Sequence, residues 1–170
     1  MTLRFSFAGP ALLTLTLIGT GLAGAPGAQA SSIVWKPLRG ESVPANAYSA
    51  APASAEPVHI CRVTHRHDTE IGTVRDFFCQ IGGDGMSRPY SVYDVLTDAG
   101  EASWAPAKGG RLPEGALPLN ETTASPVYAC RVVYEGATIV GTVHASEGLC
   151  SASFAHSELQ SDTFEVLVSR

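Results

Sequence analysis

This sequence predicts an all-β fold: an antiparallel, β-sandwich-like single domain built from two repeats related by a pseudo-twofold axis. Three observations predict it. A segment running from Trp35-Lys-Pro to Tyr93-Asp-Val-Leu96 is written again, first at an offset of 69 residues, from Trp104-Ala-Pro to Phe164-Glu-Val-Leu167. The apolar stretches are short, rich in β-branched and aromatic residues, and bounded by Gly, Pro, Ser or Asp. No stretch of helical length keeps an apolar stripe at 3.6-residue spacing.

The chain opens with Arg4, an apolar run through Ala11-Leu-Leu-Thr-Leu-Thr-Leu-Ile18, and Ala28-Gln-Ala30, a small-residue cleavage site. Residues 1–30 thus read as a signal peptide, and residues 31–170 as the tandem-repeat β domain of a secreted or periplasmic protein. Glycines and Pro10 break the apolar run, which disfavours a membrane anchor, so no membrane partner is expected after cleavage. Loss of Arg4 with the leader takes the net charge from −5 to −6. Without a basic run, binding through nucleic-acid phosphates is disfavoured.

Repeat one covers residues 33–97 and repeat two residues 102–168. Gly40, Val43-Pro44 and Ala47 meet Gly109, Leu112-Pro113 and Ala116, and Cys61-Arg-Val63 meets Cys130-Arg-Val132. Gly72-Thr-Val74 meets Gly141-Thr-Val143; the offset then becomes 71, so that Cys79 meets Cys150 and Tyr93 meets Phe164. Two residues therefore separate the copies within one loop. Strands are expected at Pro57–Val63, Ile71–Val74, Val127–Tyr134, Thr138–Val143 and Thr163–Val168, about four per copy. Glu135-Gly136 is a tight-turn signal, and His67-Asp68 fills the same place in repeat one. Pro44 and Pro113 suit edges better than central strands. The loops Ala50–Glu56 and Leu119–Ser125 correspond, and Thr97–Ser103 is too short to hold the copies apart.

Four cysteines in an exported chain allow three pairings. In a hairpin of Tyr128–Tyr134 and Thr138–His144 turning at Glu135-Gly136, Cys130 lies opposite about Gly141 and Cys150 lies well beyond the end of the pairing. A bond within one copy then requires the chain to fold back, since the Cα atoms must approach to about 7 Å or less. Pairing between copies, or buried free thiols, stays open. Arg62 and Arg131 read as structural ion-pair residues with Asp94 and Glu165 as partners. Trp35 and Trp104 read as core or inter-copy packing rather than exposed platforms.

His65-Arg-His67-Asp68 has metal-like spacing, but it sits at a hairpin end without a third ligand and reads as a solvated turn, so no metal or other cofactor is expected. The same holds for the paired carboxylates Asp68 and Glu70. No nucleophile elbow, phosphate loop or zinc-protease motif is present, and no catalytic residue is expected. Cys79 and Cys150 lack an adjacent histidine placed as an obvious base, although His144 and His156 flank Cys150. Asn120-Glu-Thr122 is a glycosylation sequon.

The ordered set Trp104, Gly109-Gly110-x-Leu112-Pro113-x-x-Ala116, Tyr128-x-x-Arg131, Gly141-x-Val143, Gly148-x-Cys150 and Phe164-Glu-Val-Leu167 resembles the DM-nine tandem-repeat family. The resemblance spans nearly all of residues 33–168, twice over. It implies a compact tandem β fold that often self-associates, so a homodimer is expected, and characterised members bind mannose-type sugars. Their site uses an acidic residue after the first turn and the lysine of a Pro-Gly-Lys-Val motif. Here Thr73 and Thr142 stand at the lysine position, and the acidic position falls near Pro52 in repeat one and at Asn120-Glu121 in repeat two. The resemblance therefore implies a lectin-like, non-enzymatic module whose candidate site for a mannose-type glycan comprises Asn120, Glu121, Glu135 and Thr142. The alternative is a structural or protein-interaction domain that has dropped sugar binding along with the lysine.

Overall fold

The computed structural model describes residues 33–65, 68–120 and 125–170. The expected export signal over residues 1–30 lies outside them, as do Arg66 and His67 of the metal-like string. Twelve strands form one antiparallel sheet: β1 (Val34–Arg39), β2 (Ile60–His65), β3 (Asp68–Arg75), β4 (Phe78–Gly83), β5 (Met86–Tyr90), β6 (Val92–Asp98), β7 (Ser103–Lys108), β8 (Val127–Tyr134), β9 (Ala137–His144), β10 (Cys150–Phe154), β11 (Ser157–Ser161) and β12 (Thr163–Val168).

Their spatial order is β1-β6-β2-β3-β4-β5-β11-β10-β9-β8-β12-β7. Each strand of repeat one has its counterpart at the mirrored place in repeat two, and β5 meets β11 at the centre. Each copy thus holds six strands, not four. The additional ones carry proline or polar residues that blur a strand signal: Pro37 in β1, Pro106 in β7 and Pro89 in β5. Proline is tolerated there because β1 and β7 are the sheet edges and β5 pairs with β11 only through Ser157↔Met86. Pro44 and Pro113 stand outside the strands, where their carbonyls accept from Ala47 and Ala116 N–H at 2.9 and 3.2 Å in corresponding turns. Asp68 pairs with His65 as the first residue of β3, so it belongs to a strand and not to the turn that the sequence suggests.

The sheet curls until its halves face each other across a shared core. Ile60, Ile71 and Leu96 from repeat one meet Leu119, Val127, Val140 and Leu167 from repeat two, all almost fully buried. Each such side chain contributes about 1.5–3 kcal/mol relative to exposure. Two smaller cores lie inside the copies, Leu38, Val63, Ile81 and Val95 in one and Val132, Ile139, Val143 and Val166 in the other. Side-chain alternation explains the division. Along β9, Ile139 and Val143 point to the copy's own core, whereas Val140 faces the other copy.

Both disulfides form within a copy, Cys61–Cys79 and Cys130–Cys150, each with a Cα–Cα distance of 5.8 Å. This corrects the expectation that an intra-copy bond is awkward. The hairpin is not flat. Cys130 lies opposite Gly141 on β9, and β10 pairs back along β9 with Cys150 opposite Val143. A Cβ on Gly141 would stand 2.1 Å from the Ser151 carbonyl oxygen, and one on Gly72 would stand 2.1 Å from that of Gln80. Only glycine permits that approach, which brings the strands flanking β9 and β3 within bonding distance. With every cysteine oxidised, the residual reading of Cys79 or Cys150 as a nucleophile lapses.

The duplicated arginines are structural, as the sequence indicates. Arg62 Nε donates to Asp94 at 2.9 Å and Arg131 Nε to Glu165 at 2.6 Å. The guanidiniums lie 4.5 and 4.7 Å from the ring centroids of Trp35 and Trp104. Each arginine also crosses to the other copy, Arg62 to the Leu119 carbonyl at 3.3 Å and Arg131 to that of Ala50 at 2.6 Å. The paired loops Ala50–Glu56 and Leu119–Ser125 are therefore anchored at their first residues by the opposite repeat.

Candidate functional site

The residues at the family's lysine position point into the joint between the copies. Thr142 is 3% exposed; its hydroxyl accepts from Ile71 N–H at 2.7 Å and donates to the Ile71 carbonyl at 2.9 Å. Thr73 does the same with Val140, at 2.9 and 3.2 Å. The cause is the curl. The β3–β4 and β9–β10 ladders stop at Thr73↔Gln80 and Ala152↔Gly141, so the outward backbone groups of Ile71 and Val140 have no strand beside them. Threonine substitutes for the missing neighbour, because a β-branched side chain with one donor and acceptor fits there. The Thr142 hydroxyl is thus committed to the fold, and the residue also lines a polar hollow of about 600 Å³.

Thr142→Val should lower stability by about 2 kcal/mol, since it keeps the shape but strands a buried N–H and C=O. Urea denaturation measures this, and a midpoint equal to wild type would show that the clasp does not stabilise the fold.

The other expected site residues stand at different places. Glu135 is exposed in the β8–β9 turn with φ +49°. Roughly 20 Å of strand separates it from His144 at the other end of β9. Asn120 is half-buried and closes its own loop, donating to the Ser125 carbonyl at 2.7 Å and accepting from Val127 N–H at 3.0 Å. Both ends of its amide are engaged by the fold. Glu121 lies outside the described residues.

A polar site does form beside Asn120, on a loop that the copies do not share. The two-residue length difference falls between β9 and β10, where residues 145–149 turn back on His144. Glu147 and Gly148 N–H both bond its carbonyl, at 3.0 and 3.2 Å. Gly148, at φ +69°, packs its Cα against Gly110, which leaves no room for a side chain. His144 and Glu147 thereby stand between two hollows. One, of about 320 Å³, reaches Asp68, Asn120 and Ser125; the other, of about 600 Å³, reaches Glu70, Asp84, Ser151 and Glu158. Both copies contribute to each wall.

Glu158 organises the larger hollow. It accepts from Gly85 N–H at 2.7 Å, from Gln160 at 3.0 Å, and from the Ser151 hydroxyl. Partial burial pushes its carboxyl up, but the bonds from Ser151, Gln160 and Gly85, with Arg88 nearby, hold it below the ordinary glutamate value. Arg88 is secured as a cation by Tyr90, by its ion pair with Asp84, and by Glu70. Glu70 and Glu147 line the walls, while Glu158 and Arg88 are held by the fold. Planar carboxylates accept from paired hydroxyls or amines, which is the chemistry this hollow offers. Among the described residues no three His, Cys, Asp or Glu side chains are grouped to hold a metal ion, and no helix is long and apolar enough to cross a membrane.

Sequence reasoning missed this cleft, having read Glu70 as solvated surface and weighed His144 only as a base for Cys150. The available signal was the length difference itself, because an insertion into one copy marks where the copies have diverged.

Among solved structures the chain resembles the nematode sperm cell motility protein MFP2B, with a TM-score of 0.60 and 9% identity over 85% of this chain and 48% of that one. The chain spans about half the length of that protein, and the likeness is one of fold. No curated protein sequence matches it. The DM9 repeat model matches residues 56–161, from the loop before β2 to the end of β11. With that match over ten of the twelve strands of the twice-written sheet, the chain belongs to the DM9 repeat family.

Proposed function

We propose that this chain is an exported, non-catalytic, lectin-like module that takes a mannose-type glycan in the cleft walled by Glu70, His144 and Glu147. The observation that carries this reading is the cleft's composition: carboxylates and an imidazole from two repeats converge on a hollow of about 600 Å³. A pyranose presents vicinal hydroxyls, and each one taken from water needs a partner of sound geometry; a carboxylate accepts two at once. Membership in the DM9 repeat family supports the same class of ligand. Secretion or delivery to the periplasm follows from the leader over residues 1–30, and a homodimer presenting two clefts would raise avidity.

Calorimetric titration with mannotriose tests it. Glu147→Gln and Glu70→Gln should each weaken binding by tenfold or more, because a hydrogen bond to a charged group contributes about 1.5–3 kcal/mol. Equal binding by wild type and both variants would move the ligand elsewhere. A specific observation favours a second reading, a structural or protein-interaction module without sugar binding: Thr73 and Thr142 occupy the family's lysine position and are committed to the fold. A wild-type protein that engages no glycan on an array would leave that reading in place.

A further inference from the structure

The connection that forms the cleft in repeat two is a two-residue turn in repeat one. Asp76 and Phe77 join β3 to β4 with φ +48° and +67°. A bulky aromatic residue in the left-handed region is a steric outlier, and such residues persist where the exposed side chain has a use. In turns of the same form the second position holds Gly85 at +76°, Gly136 at +78° and His156 at +70°. Burial does not explain Phe77, which is 54% exposed, nor its neighbour Phe78, at 40%. The fold gains little from either ring and is strained by one of them.

The residues that lead into this tip, Arg75 and Asp76, line a hollow of about 380 Å³ together with Glu56, Pro57 and Val58. Arg75 is the cross-strand partner of Phe78, and Asp76 directly precedes Phe77, so two aromatic residues adjoin a guanidinium and a carboxylate, groups that match both sides of a pyranose. Its C–H face packs on a ring, and its vicinal hydroxyls take the planar groups. We infer that the Phe77–Phe78 tip, with Arg75, Asp76 and Glu56, is a second sugar subsite, on repeat one, that holds a hexopyranose by stacking. This subsite rests on the reading of the chain as a sugar-binding module, and it differs from the cleft in kind: one stacks, the other only hydrogen-bonds. A bilayer is the competing occupant of an aromatic tip. Glu56 and Asp76 at its base and the chain's acidic balance oppose an anionic membrane surface.

The test uses the full chain and four probes: mannan and mannotriose, and vesicles of phosphatidylcholine with and without phosphatidylserine. Phe77→Gly should weaken mannan binding tenfold or more while its thermal midpoint stays at or above that of wild type, because glycine adopts the turn without strain. A loss of binding through misfolding would lower the midpoint, so the two are separable; Phe77→Asn, which also tolerates this conformation, should behave alike. If Phe77→Gly binds as wild type and Glu147→Gln does not, the cleft stands and the tip is overturned. If the pattern is reversed, the tip stands and the cleft reading falls. Wild-type protein that ignores both glycans overturns both, and Phe77-dependent sedimentation with vesicles alone would assign the tip to lipid.

Discussion

Gly141→Ala should destabilise the protein by about 3 kcal/mol or more, a large part of the roughly 5–15 kcal/mol that holds a domain of this size folded. The new Cβ would lie 2.1 Å from the Ser151 carbonyl oxygen and 2.7 Å from the Ala152 Cβ. Neither atom is the far end of a flexible side chain, so relief requires β10 to lift off β9. That movement would pull against the Cys130–Cys150 bond and separate the partners of the small core around Ile139 and Val143. Gly72→Ala should act alike, since its Cβ meets the Gln80 carbonyl oxygen at 2.1 Å and the Ile81 Cδ1 at 2.8 Å. Gly136→Ala is the control. Nothing stands within 4 Å of its Cβ, and only the positive φ of +78° opposes it, at about 1–2 kcal/mol. Denaturant midpoints rank the three, and a Gly141→Ala protein no less stable than Gly136→Ala would show that β10 does not need this close approach.

Loss of either disulfide is the second large effect. Replacing Cys130 and Cys150 by alanine opens a loop with a sequence separation of 20, and replacing Cys61 and Cys79 one of 18. Loops of this length correspond to about 3 kcal/mol each through the entropy restored to the unfolded chain. Because the bonds sit in different copies, the two losses should be equal within error, and together they should leave little folded protein. Peptide mapping without reduction checks the pairing directly. A peptide joining Cys61 to Cys130 would contradict the fold, since each of these residues belongs to its own copy's core.

The repeated architecture was legible because it rests on local patterning confirmed twice. Arg62 with Asp94 and Arg131 with Glu165 were readable for the same reason: residues that recur in matched pairs on adjacent strands are constrained by one geometry. The prolines concealed β1, β5 and β7, because a residue that cannot donate to a ladder looks like an end when only one side of the strand is considered. Thr142, placed in the site by analogy with a lysine, spends its hydroxyl on the backbone of Ile71. A side chain short enough to reach only the backbone opposite it performs a different task in the same direction.

The sequence alone determined that the chain is all-β and duplicated, and where the copies part in length. Each of these is a property of spacing and composition, available before any two distant residues meet. The tertiary structure alone decided the disulfide pairing, the threonine clasp and the polar cleft. All three depend on how sharply each half-sheet curls at Gly72 and Gly141 and on how the halves face each other. Curvature of that kind arises from backbone approaches that a missing side chain permits but does not announce.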